Sequence, residues 1–153
     1  MAKSDYRFVY TDDDGILIIV CPADKTDLTL EEIKIRNCPT TNTIYTVEGK
    51  DCPTDRSFRD AWTYDGTNFG VDLAKAKEIH KTKIRDARTP KLAELDVEFQ
   101  RALESSADTT AIVAKKNALR DAPADSAIDA ATDVAGLKAQ WNTSILGTSP
   151  YTS

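Results

Sequence analysis

A chain of 153 residues suffices for one ordinary domain, or for a small β unit with a helical extension. With 41% hydrophobic and 29% charged residues it has a core to bury, which excludes wholesale disorder. A net charge of −5 denies it the overall basic surface that general nucleic-acid binding requires, and no apolar run approaches the ~20 residues of a membrane span.

The N-terminus leads straight into an extended run without the apolar core of a signal peptide, so synthesis and folding in a cytosol are expected. Tyr6–Tyr10 alternates aromatic or β-branched residues with others, and Ile16–Cys21 is a dense run of Ile, Leu and Val. Between them Asp12-Asp13-Asp14-Gly15 supplies hairpin turn chemistry. The same aspartates do not make a calcium loop, because the glycine and the distal glutamate are out of place for an EF-hand. Thr29 stands three residues before Glu32, which predicts a capping box and a short helix from Leu30 to Arg36. Ile44–Val47 is a third strand candidate.

The stretch Asp55-Arg56-Ser57-Phe58-Arg59-Asp60-Ala61-Trp62 is the expected hinge of the molecule. Thr54 or Asp55 caps a short helical turn in which Phe58, Ala61 and Trp62 share one face, while Arg56, Arg59 and Asp60 point elsewhere. Two large aromatics so placed predict a clamp between a small sheet and a helical layer. Asp65-Gly66 then ends the segment in a turn.

Downstream the period becomes helical. Asp72 caps a helix to about Arg88; Thr89-Pro90 starts or kinks the next, which carries Leu92, Leu95, Phe99, Ala102 and Leu103. Ser105–Asp108 breaks the pattern before a helix with Ile112, Lys116 and Leu119 on one face. A last helix places Val134, Leu137, Trp141 and Ile145 in line and stops at Gly147. The tail, Thr148–Ser153, has nothing to bury unless a partner covers it. The expected fold is therefore α+β, with an antiparallel β head over residues 1–65 and a hairpin or bundle of three to four helices over 66–153. Many stripe positions are alanine, whose methyl gains ~0.8 kcal/mol on burial against ~1.5–3 for Leu or Phe. Leu92, Leu95, Phe99, Leu137 and Trp141 are accordingly the residues expected to complete their burial against another chain.

Cys21, Cys38 and Cys52 each precede a proline. An odd number without a secretion signal is no disulfide framework, and without a CxxC pair or a nearby histidine no zinc site is expected. They read as small buried apolar side chains, with crosslinking within the chain or to a neighbouring subunit as the sharper alternative. Lys75, Lys77, Lys81, Lys83, Arg85, Arg88 and Lys91 crowd one helical region; lacking interleaved aromatics, they read as a solvated face or a seat for an acidic partner surface. No nucleophile motif, P-loop or H-E-x-x-H occurs, and His80 reads as a surface or core-edge residue. No enzyme activity, cofactor or metal is expected.

The run Leu28-Thr29-Leu30-Glu31-Glu32-Ile33 followed by Cys52-Pro53-Thr54-Asp55-Arg56-Ser57-Phe58-Arg59-Asp60-Ala61-Trp62 resembles small accessory proteins encoded among bacteriophage tail and tail-fibre genes. Val71–His80, Leu95–Phe99 and Leu119–Pro123 continue the likeness, which spans most of residues 5–145. The Cys-Pro dipeptides depart from it, standing where Val-Pro or Leu-Pro is the expectation. The resemblance implies a non-enzymatic tail-region protein, a virion adaptor or fibre-attachment piece, with a tail-fibre assembly chaperone as the alternative. It carries no catalytic residues, and the D-R-x-F-R-x-A-W stretch keeps a structural role. Its partners are other phage tail or fibre proteins, with self-association open and no nucleic acid or membrane. Its place is the host cytoplasm during assembly, then the virion tail.

Overall fold

The computed structural model describes residues 2–152, so Ser153 of the expected tail lies outside the described residues. The fold is α+β, in two compact units, Met1–Asp72 and Leu73–Ser153.

In the first unit β1 (Tyr6–Thr11) is central and antiparallel to both β2 (Leu17–Val20) and β3 (Tyr45–Glu48). The register Thr11↔Leu17 leaves Asp12–Ile16 as the hairpin loop. Asp12 Oδ1 accepts from the amides of Asp14 and Ile16, and Gly15 takes φ 78° without the steric cost a Cβ would add. Alternation along β1 sends Val9 to one face with Leu17, Val47 and Trp62, and Phe8 to the other with Ile33 and Cys38. The second face is covered by α1 (Leu30–Asn37), which starts at the expected capping box: Glu32 N–H donates to Thr29 Oγ1 at 3.2 Å, and Thr29 N–H donates back to Glu32 Oε2 at 2.7 Å.

The first face is covered by a second hairpin, β4 (Trp62–Tyr64) and β5 (Phe69–Val71), built around the turn expected at Asp65-Gly66. Asp65 Oδ1 takes the amides of Thr67 and Asn68 and closes the loop. This hairpin belongs to the first unit, so the division falls after Asp72 and not after residue 65.

The second unit is built on α2 (Leu73–Glu104), one helix of 32 residues through Pro90. The residue gives up one backbone hydrogen bond without separating two helices, and Thr89 Oγ1 bonds the Arg85 carbonyl at 2.8 Å in the turn where the proline sits. Ala76, His80, Ile84, Leu95 and Ala102 form its buried stripe. Asp108 Oδ1 holds the Thr110 amide ahead of α3 (Thr110–Asp121). Five α-helices make up the unit among the described residues, more than the three or four expected. Asp125 caps an extra short helix, α4 (Ser126–Ala130), and the last expected helix is broken in two. Those pieces are α5 (Val134–Lys138), capped by Asp133, and α6 (Thr143–Leu146), capped by Asn142. No helix among the described residues is long and apolar enough to cross a membrane.

Candidate functional site

The hinge segment keeps its aromatic core and changes its geometry. Neither Thr54 nor Asp55 caps the turn, which begins after Phe58 without a side-chain cap; Asp55 Oδ1 instead closes a local turn, accepting from Ser57 N–H at 3.0 Å and from Ser57 Oγ at 2.7 Å. The helical turn is reduced to a 3-10 turn over Arg59–Ala61, and Trp62 opens β4. Phe58 and Ala61 are buried, and Trp62, 4% exposed, packs on Val9, Leu17 and Val47. The tryptophan therefore clamps the second hairpin to the three-stranded sheet of its own unit. Arg56 and Arg59 do not point elsewhere: their guanidinium carbons lie 5.9 and 5.5 Å from the Trp62 ring centroid. Each brings a cation over the indole, the ring best suited to it.

The three cysteines are free thiols on different layers. Cys38 is buried at the end of α1, Cys52 is half-buried against the first face, and Cys21 is exposed just past β2, contrary to uniform burial. Burial raises the thiols of Cys38 and Cys52 above their ordinary value, so neither is an activated thiolate. No internal crosslink joins them.

The five helical residues expected to face a partner are divided by the structure. Leu95, Leu137 and Trp141 are buried within the chain, because α5, α6 and the loop between them fold back on α2 and consume that surface. Leu92 and Phe99 are half-buried where α2 meets α3. That seam is antiparallel: Lys116 on α3 reaches Asp96 at 2.6 Å and lies 5.1 Å from the Phe99 ring centroid, while Arg88 reaches the Leu119 and Arg120 carbonyls.

The apolar surface that remains exposed lies elsewhere. Leu103 is 52% and Val113 39% exposed. Each follows a seam residue, Ala102 or Ile112, by one position. On antiparallel helices the ~100° step turns both to the same side of the hairpin. Val97 and, on α1, Ile35 are also exposed.

Sequence reasoning missed a buried aromatic cluster. His80, placed at the surface or core edge by its polar helical neighbours, is fully buried. Its Nδ1 lies 2.6 Å from the Tyr151 hydroxyl, the two rings stack at 5.7 Å with 10° between planes, and Trp141 stands edge-on to both. The tail thus has something to bury, because Tyr151 supplies a flat ring for the imidazole. Burial holds His80 below its ordinary value and the nearby Lys83 ammonium adds to this, while the backbone of Gln140 pulls the other way. Burial likewise raises the Tyr151 phenol, which stays protonated and able to donate. The only signal for this cluster was compositional: a lone histidine spaced four residues from both Ala76 and Ile84 on the buried stripe.

Two open clefts lie on the surface, one in each unit. One, of about 550 Å³, lies in the first unit beside Glu48, Asp51, Tyr64 and Phe69; the other, of about 530 Å³, lies in the second beside Ile84, Asp121, Gln140 and Leu146. His80 lines neither. Among the described residues no group of three His, Cys, Asp or Glu side chains is arranged to hold a metal ion. Comparison with protein-family models, curated proteins and solved structures finds no match to this chain.

Proposed function

We propose that this chain is a non-enzymatic structural protein of the bacteriophage tail region, an adaptor or fibre-attachment component acting through protein–protein contacts. The single observation that carries the reading, beyond the sequence resemblance, is the apolar side of the α2–α3 hairpin. Leu103 and Val113 stand exposed on these two helices. Two antiparallel helices bury one seam between them and leave their outer faces to solvent or to another chain. The partner that fits is the apolar face of another tail or fibre chain.

The test is mass spectrometry of purified, washed particles, with and without Leu103→Glu and Val113→Glu in this chain. The expected result is peptides of the wild-type chain in the particle and their loss from the double variant. Absence of the wild-type chain from particles overturns the structural reading. If co-expression then restores solubility to the neighbouring fibre, the chain is a tail-fibre assembly chaperone.

A further inference from the structure

We propose that the C-terminal segment 148–152 is a pH-sensitive latch, held on the helical unit by Tyr151 against neutral His80 and released when His80 takes up a proton. The segment leaves α6 through Gly147, whose φ of 84° turns the chain back toward α2. Trp141 Nε1–H donates to the Gly147 carbonyl at 3.1 Å and fixes that turn. The hydrogen bonds Tyr151 N–H to Ser149 Oγ and Thr152 Oγ1 to the Ser149 carbonyl shape the segment from within. Tyr151 is the side chain that ties it to the core, through the 2.6 Å bond and the stack on His80.

The site is built for a neutral imidazole. In the tautomer with its proton on Nε2, Nδ1 accepts from the Tyr151 hydroxyl; a second proton on Nδ1 breaks that bond and requires the hydroxyl to turn and accept from a buried cation instead. Nε2 is buried and makes no hydrogen bond of good geometry among the described residues, and the backbone of Gln140 is the one group named beside the ring that favours the cation, against burial and Lys83. The charges around it have the wrong sign. Lys83 of α2 and Lys138 of α5 lie 5.5 and 5.7 Å from the Tyr151 ring centroid, on the group that stacks on His80. The carboxylate of α4, Asp129, is engaged by Lys81 at 3.1 Å, and α6 carries no ionisable side chain.

The linkage has one sign. Release of Tyr151 removes its share of the burial that holds His80 low, so His80 titrates higher in the open state than in the closed one. Closure is therefore favoured most above the open-state value. Below that, the open-to-closed ratio rises by up to about tenfold per pH unit until the closed-state value is reached.

The experiment is NMR of the full chain from pH 7.5 to 4.5. It follows the Tyr151 and Thr152 amides, the His80 imidazole resonance and the amides of α2 and α3. The expected result is loss of order at Tyr151 and Thr152 in step with protonation of His80, a rise of up to about fivefold in the open-to-closed ratio between pH 6.5 and 5.5, and unchanged helix signals. Tyr151→Ala, which leaves His80 in place, gives an open segment at every pH and returns the His80 midpoint toward about 6.5. Order at Tyr151 persisting through the His80 titration overturns the latch. So does simultaneous melting of α2 and α3, or a His80 midpoint unmoved by Tyr151→Ala.

Discussion

Trp62→Ala removes the ring that fastens the second hairpin to the sheet. The side chain is 4% exposed and rests on Val9, Leu17 and Val47. A tryptophan buries roughly 150–250 Å², which at ~25 cal/mol per Å² corresponds to ~4–6 kcal/mol of transfer free energy. The two arginines over the indole add ~0.5–1 kcal/mol each at sites this open to solvent. Partial collapse of the three-residue strands into the space reduces the total, so the expected loss is ~3–5 kcal/mol. Phe58→Ala, at another buried aromatic of the segment, is expected to fall in the same range. Site-resolved hydrogen exchange of the β1, β2 and β3 amides under native conditions is the appropriate assay, because two compact units need not share one transition. Trp62→Phe should recover more than half of the lost protection. A loss below ~1 kcal/mol for Trp62→Ala would mean that the indole is not the fastening this packing implies.

Three further outcomes are expected. Thr29→Ala removes one arm of the capping box and should cost ~0.5–2 kcal/mol by urea denaturation. The two Thr29 hydrogen bonds hold the Glu32 carboxyl below its ordinary value, so their contribution is present above that value and lost as pH falls through the lowered one. The variant should accordingly show a shallower loss of stability on acidification. Pro90→Ala restores an amide to the middle of α2 and should raise the guanidinium midpoint by an amount equivalent to ~1–3 kcal/mol; a lower midpoint would show that the α2–α3 seam depends on a bend at Pro90. Leu103→Glu and Val113→Glu, at exposed positions, should leave thermal stability within about 0.5 kcal/mol of wild type; a larger loss would place these residues in the chain's own core.

The parts of the fold that were legible in the sequence are those specified locally. The Asp12–Gly15 turn, the Thr29–Glu32 box and the Asp108 turn ahead of α3 each satisfy named backbone amides within four residues, so their chemistry is written where they act. What was not legible depends on partners distant in sequence. Residues 62–71 contain two three-residue strands, too short for alternation to show, and they hold as strands because Trp62 finds Val9 and Leu17. The run through Trp141 carries a helical period but does not remain one helix, since Asp133 and Asn142 each start a new segment. Pro90 read as either a kink or a boundary, because the pattern gives its cost and not the continuity of the helix on both sides of it. His80 and Tyr151, 71 residues apart, could be joined only by the return of the chain at Gly147.

The basic run on α2 read as a possible seat for an acidic partner, and the structure gives several of those charges internal work. Lys77 donates to the Asp129 carbonyl at 2.7 Å and Lys81 to its carboxylate at 3.1 Å, both at the end of α4. Arg88 donates to the Leu119 and Arg120 carbonyls at the end of α3. These are helix C-termini, where unpaired carbonyls and the helix dipole both favour a cation. The long side chains thus tie two shorter helices to α2, and a unit rich in alanine gains directional bonds where its apolar burial is thin. A consequence follows for any partner. With those cations engaged and the α2–α3 side presenting Leu103 and Val113, association through that side should be driven by apolar burial. It should therefore change little between 50 and 300 mM salt, whereas a seat made by the basic run would weaken steeply over the same range.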